Sequence, residues 1–98
     1  MTGLTESLAN FVENPGFESL PADVARIVKT GFIDTLATMI AGRDEPVVRI
    51  VRDFVSARQS GAREAHILLG AEMAASADAA MINATSAHAL DYDDVALG

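Results

Sequence analysis

The chain has 98 residues, which predicts one small domain or a part of a larger one. Seven basic and fourteen acidic side chains give a formal charge of −7, a balance that argues against binding to a nucleic-acid backbone. No apolar run approaches the roughly 20 residues of a membrane-spanning helix. No secretory signal peptide is visible, and a chain without cysteine has neither a disulfide nor a thiolate metal site.

Hydrophobic periodicity predicts an all-α chain of about four helices. The first helix begins near Leu4 and is broken by the turn-forming segment Asn14–Gly16. The second runs from Pro21 to Gly42, because proline is tolerated in a first turn and glycine is favoured just past a helix end. Apolar side chains cover a wide arc of this second helix, so we expect it to be a central helix of the fold.

The third predicted helix extends from about Glu45 to Gln59, with Asp44 as its N-cap and Gly61 at its end. The apolar run Ala65–Leu69 fits a helix or a strand equally well, because a short run has no decisive period. The fourth helix is expected to begin after Ser76 and to continue to about Leu90, since this segment is rich in alanine.

The residues that carry chemistry are concentrated near the end of the chain. His88 and Asp91 are three positions apart and would share one face of a helix. Asp93 and Asp94 follow closely, and repulsion among the three carboxylates is expected to raise the pKa of some of them into the range useful for proton transfer. The alternative reading is a solvated acidic loop at a helix end, where acids are unfavourable for the helix dipole.

Metal-binding interpretations of this segment are weaker. A calcium loop requires an oxygen ligand at its fifth position and glycine at its sixth, where this chain has Val95 and Ala96. His88 and Asp91 supply two ligands, fewer than the three or four of a zinc site. We therefore expect no metal here, although a calcium-responsive loop is kept as a minor alternative.

Two stretches of the chain carry recognisable motifs. The first is Leu20-Pro21-Ala22-Asp23-Val24 through Ile33-Asp34-Thr35-Leu36-Ala37 to Ala41-Gly42. The second is Ala79-Ala80-Met81-Ile82-Asn83 through His88-Ala89-Leu90-Asp91-Tyr92-Asp93-Asp94. In this order they resemble the MmgE/PrpD family. The resemblance extends from about Leu4 to Gly98 and concerns the amino-terminal part of a family whose members are several times longer. This chain departs from the family's motif at two positions: it has Ala84 where members often have Gly, and Val95 where many have Thr.

The resemblance implies the helical segment of a large all-helical domain, incomplete within residues 1–98 and without the α/β lid domain of the family. It also implies a cytoplasmic, homodimeric lyase or isomerase that needs no cofactor. The family includes 2-methylcitrate dehydratase, cis-aconitate decarboxylase and iminodisuccinate epimerase, which act on small di- and tricarboxylic acids. Asp91 matches the proton-handling aspartate of the family, with His88 beside it as a second catalytic candidate, while Tyr92, Asp93 and Asp94 are expected to shape the substrate pocket.

A polycarboxylate substrate requires cationic side chains to hold it. Residues 64–98 contain six acids and no Lys or Arg, whereas all seven basic residues lie within 26–63. The acidic cluster therefore cannot bind such a substrate alone, and we expect the 98-residue chain by itself to be inactive. The alternative function is a stand-alone helical module for dimerisation or interaction, without catalysis and without nucleic-acid or membrane partners.

Overall fold

The computed structural model describes residues 3–14, 16–58 and 60–92, which divide into two compact units at Phe32 and Ile33. The described part of the chain is mostly helical, as its periodicity predicts. Its helices are α1 (Leu4–Glu13), α2 (Ala22–Gly42), α3 (Pro46–Ala57) and α4 (Ser76–His88), with a short 3-10 turn at Phe17–Ser19. None of these helices is both long and apolar enough to cross a membrane.

A small core is built around α4 in the unit that begins at Ile33. Val48 of α3 and Ile82 of α4 are fully buried and belong to the same core, and these two helices contact one another. Ile67, Ala74 and Ala79 complete the core, and half-buried Val51 and Val55 extend it along α3. The spacing of Val48, Val51 and Val55 places these three side chains on one face of α3.

A two-stranded hairpin covers another side of α4. Strand β1 (Ala65–His66) pairs in antiparallel register with β2 (Met73–Ala74), Ala65 opposite Ala74 and His66 opposite Met73. Both strands contact α4. The apolar run that the sequence left open between helix and strand therefore begins as a strand, because its backbone hydrogen bonds are made with a segment several residues further along the chain.

The prediction that the second helix is central is wrong for the described residues. Only Thr38 and Gly42 of α2 are buried, whereas large apolar side chains such as Phe32 and Ile33 are 70% and 69% exposed. Gly42 is also not a residue beyond the helix end but the last residue of α2. A Cβ atom there would lie 2.3 Å from the carbonyl oxygen of Ser86, so glycine is needed for a close approach between α2 and α4.

The predicted boundaries of the third helix are also partly wrong. Its N-cap is Glu45 rather than Asp44, because Pro46 is the first helical residue and restricts the residue before it to an extended backbone (φ −66°, ψ 147°). The helix ends at Ala57, with Arg58 as its C-cap. Gly61 does have a left-handed backbone (φ 65°), but it lies beyond the cap and turns the chain toward β1.

Long-range polar contacts fix the ends of α3 and α4. The Arg58 guanidinium donates to Oδ1 of Asp78 at 2.8 Å, and this aspartate in the first turn of α4 is almost fully buried. Oε2 of Glu64 accepts hydrogen bonds from the backbone N–H and the hydroxyl of Ser76, at 2.9 and 2.6 Å. Glu64 thereby caps α4, which explains why the helix begins at Ser76 itself although its N-cap residue is Ala75.

Candidate active site

The end of α4 brings His88 and Asp91 together. His88 is the last residue of the helix, and the chain turns immediately afterwards, with the N–H of Asp91 donating to the carbonyl oxygen of His88 at 2.9 Å. Asp91 has a left-handed backbone (φ 56°), a conformation that aspartate adopts more readily than most residues. The spacing alone predicts that the two residues share one helix face. Instead, the helix ends at His88, and a turn brings the side chain of Asp91 close to it.

The two side chains are close but not directly hydrogen-bonded. Nε2 of His88 and Oδ1 of Asp91 are 3.9 Å apart, a distance that allows electrostatic interaction but exceeds that of a hydrogen bond. Their side chains are 69% and 86% exposed. Both groups can therefore be reached by a small molecule in solution.

An open cavity of about 680 Å³ lies over this pair. Its other lining residues are Val47 of α3, Ala84 and Thr85 of α4, and Ala89 just after the helix. The Thr85 hydroxyl donates to the carbonyl oxygen of Met81 at 2.7 Å, and its oxygen remains able to accept a hydrogen bond from a ligand. The cavity combines one imidazole, one carboxylate and one hydroxyl with a small apolar wall.

The other predicted pocket residues cannot all be placed. Tyr92 is 68% exposed and does not line this cavity. Asp93 and Asp94 lie outside the described residues, so the expected repulsion among the three carboxylates stays a prediction. Within the described ranges, no group of three His, Cys, Asp or Glu side chains is arranged to hold a metal ion.

Asn83 has a structural role that the sequence analysis missed. Its side-chain oxygen accepts from the backbone N–H of Leu68 at 2.9 Å, and its Nδ2 donates to the carbonyl oxygen of His66 at 3.1 Å. One amide side chain of α4 therefore holds the hairpin loop. No local signal points to these partners, because they lie 15 and 17 residues away in sequence.

Thr85 and Val47 were also missed as site residues. Thr85 is three positions before His88 and shares its helix face, a spacing that could have identified it. Val47 could not have been found in this way, since it reaches the cavity through the packing of α3 against α4.

Of the residues that the structure describes, no Lys or Arg lines the cavity of His88 and Asp91. Three arginines, Arg43, Arg49 and Arg52, line a separate cavity with Asn83 and Ser86. Asn83 and Ser86 lie on the opposite face of α4 from Ala84 and His88. Among the described residues, therefore, the source of cationic groups for a polycarboxylate at the His88 and Asp91 site stays a prediction.

Comparison with known proteins agrees with the resemblance. A family model described as the MmgE/PrpD N-terminal domain matches residues 6–98, nearly the whole chain. Searches of curated proteins and of solved structures found no match. Since the matched region includes α2, the hairpin and the segment that carries His88 and Asp91, the chain belongs to the MmgE/PrpD family and represents its N-terminal domain.

Proposed function

We propose that this chain forms part of a cofactor-independent lyase or isomerase that acts on small di- or tricarboxylic acids. The observation that carries the proposal is the placement of His88 and Asp91 at one open cavity, in a chain of the MmgE/PrpD family. Family membership supports this class of enzyme, and a reaction of the 2-methylcitrate dehydratase kind is the first to test.

The proposed reaction begins with removal of a proton from the carbon atom next to a substrate carboxylate. Asp91 acts as the general base and takes this proton, while the electron pair of the C–H bond moves toward the carboxylate. The intermediate then either accepts a proton on the other face or loses hydroxide, which takes up a proton and leaves as water. A decarboxylase would skip the proton removal: it would break the bond to one carboxylate, release carbon dioxide, and place a proton on the carbon that keeps the electron pair. His88, 3.9 Å from Asp91, orients the base or supplies the returning proton.

This proposal requires cationic groups from outside the described residues. The cavity presents a carboxylate at Asp91, so a substrate with two or three carboxylates would be repelled without compensating Lys or Arg side chains. We propose that the full-length protein supplies them, that it acts in the cytoplasm, and that it forms a homodimer. Light scattering of the purified full-length protein tests the homodimer directly.

Deuterium exchange tests the proposed proton transfer before the true substrate is known. Full-length protein is incubated in deuterated buffer with 2-methylcitrate, cis-aconitate and related acids, and deuterium incorporation or product formation is followed by mass spectrometry. Asp91→Asn is expected to reduce the rate by about 100-fold or more, in the range of a lost general base. Asp53→Asn is the matched control, because Asp53 is an exposed aspartate of α3 that does not line the cavity.

A near-normal rate in Asp91→Asn would contradict the role given to Asp91. His88→Ala is compared with His66→Ala, which removes an exposed imidazole on β1 away from the cavity. Loss of activity in both histidine variants alike would contradict a specific role for His88.

The second candidate function is a helical module for dimerisation or interaction without catalysis. Exposed apolar side chains favour it, among them Phe11 of α1 at 74% and Phe32 of α2 at 70%. It predicts a concentration-dependent assembly of the 98-residue chain that Phe11→Ser or Phe32→Ser weakens. A full-length protein that converts a polycarboxylate through Asp91 would remove this alternative as the principal function.

A further inference from the structure

A second open cavity, of about 390 Å³, lies beside α4 on the face away from His88. This volume is within the range of small-ligand sites. Arg43 from the turn after α2 and Arg49 and Arg52 from α3 line it, together with the hairpin loop 68–72. Three of the seven basic side chains of an acidic chain thus line a single cavity.

Arg49 is the arginine whose charge is available to a ligand. The guanidinium of Arg52 pairs with Glu72, and Nε of Arg43 lies 3.3 Å from Oδ2 of Asp44. Within the described residues Arg49 forms neither an ion pair nor a side-chain hydrogen bond, although it is one helical turn from Arg52 on the same face of α3. Counting Asp44 and Glu72, the cavity lining carries one net positive charge.

The hairpin loop adds hydrogen-bond donors to this cavity. Asn83 holds the N–H of Leu68, and Leu69 has a left-handed backbone (φ 68°), which is strained for a leucine and turns the loop sharply. The backbone N–H groups of Gly70 and Ala71 donate no hydrogen bond to any described residue. A loop of this kind, next to guanidinium groups, provides the donors that an anion requires.

We infer that this cavity binds a small dianion of the dicarboxylate or phosphate class. Planar guanidinium groups bind carboxylate and phosphate oxygens in pairs, and Arg49 supplies an uncompensated positive charge. Glu72 competes with the ligand for Arg52, so ligand binding and the Arg52–Glu72 ion pair oppose one another. The site is independent of the function proposed for His88 and Asp91, which lie on the other face of α4.

Calorimetric titration of the full-length protein tests the site, with inorganic phosphate and succinate as the two probes and sodium chloride holding the ionic strength constant. We expect saturable binding of at least one probe. Tighter binding of phosphate would assign a phosphate ligand, and tighter binding of succinate a dicarboxylate. Arg49→Ala is expected to weaken binding by about tenfold, the scale of a lost charge-assisted hydrogen bond.

Three further variants complete this test. Glu72→Gln frees Arg52 and removes a negative charge, so binding is expected to tighten by about threefold or more. Lys29→Ala is the matched control, since this cation of α2 does not line the cavity and its loss should leave binding unchanged. Asp91→Asn should also leave binding unchanged, which separates this site from the proposed active site.

Three results would overturn the inference. The first is the absence of saturable binding of either probe. The second is equal weakening by Arg49→Ala and Lys29→Ala, which would indicate attraction to overall charge only. The third is weaker binding in Glu72→Gln. Circular dichroism checks that Glu72→Gln and Arg49→Ala are folded.

Discussion

Helices α1 and α4 differ in how their hydrophobic patterning relates to burial. Helix α1 has the clearer apolar stripe, yet none of its residues is buried, and Phe11 and Leu8 are 74% and 56% exposed. Helix α4 consists largely of alanine and polar residues, yet Asp78, Ala79, Ile82 and Ser86 are buried. Burial therefore follows from what packs against a helix, and small side chains allow α3, the hairpin and the end of α2 to approach α4 closely.

The largest expected effect comes from removing the centre of the α4 core. Ile82 is 1% exposed, so Ile82→Ala leaves a cavity and should lower the free energy of unfolding by about 3 kcal/mol. Leu8→Ala on exposed α1 should change it by less than about 0.5 kcal/mol. Urea denaturation of both variants measures the difference. Similar losses in the two variants would show that α1 is packed in solution as tightly as α4.

Two glycines of the same helix should respond with opposite signs. Gly42→Ala places a methyl group against the Ser86 carbonyl oxygen and should cost about 2 kcal/mol. A Cβ at Gly31 meets nothing within 4 Å, so Gly31→Ala should stabilise the helix by up to about 1 kcal/mol. Thermal unfolding distinguishes them. Stabilisation by Gly42→Ala would contradict the close contact between α2 and α4.

The ion pair at the start of α4 is expected to have an intermediate effect. Arg58→Met leaves the buried Asp78 carboxylate without its partner and should cost about 1–2 kcal/mol, less than for a fully buried pair because Arg58 is half exposed. Arg63→Met, which removes an exposed arginine that forms no ion pair within the described residues, is the control. Equal stability of the two variants would show that Asp78 does not need Arg58.

The smallest effect, on the cap of α4, has a defined pH dependence. Two hydrogen bonds from Ser76 lower the pKa of Glu64 below its usual 4.5. The bond from the hydroxyl has the larger effect, and the bond from the backbone N–H the smaller. A lowered pKa means that the carboxylate stabilises the fold fully above about pH 4.5, and that this contribution disappears as the pH falls through the lowered value.

Glu64→Gln should therefore lower the melting temperature at pH 7, and the difference from the unchanged protein should shrink below pH 4.5. Glu13→Gln in α1, where the carboxylate makes no hydrogen bond to another described residue, serves as the control. A difference for Glu64→Gln that persists unchanged at low pH would show that the Ser76 hydrogen bonds do not depend on the charge.

Much of the site could be predicted because its residues are close in sequence. The spacing of His88 and Asp91 predicted that they are neighbours, and their 3.9 Å separation agrees with it. The role proposed for them rests on the resemblance to the MmgE/PrpD family. Their surroundings could not be predicted, since Val47 reaches the cavity from α3. The turn at Asp91 could not be predicted either, because it requires a left-handed backbone at Asp91 and hydrophobic periodicity does not predict backbone angles.

The amino-acid sequence by itself determined the helical class, the approximate extent of each helix and the segment in which the candidate site lies. These properties depend on hydrogen bonds and side-chain spacing within a few residues. Only the tertiary structure decided that β1 pairs with β2 and that Asn83 holds the hairpin loop. It also decided that Arg43, Arg49 and Arg52 line a cavity on the side of α4 away from His88. Each of these depends on contacts between residues distant in the chain, whose partners no local pattern specifies.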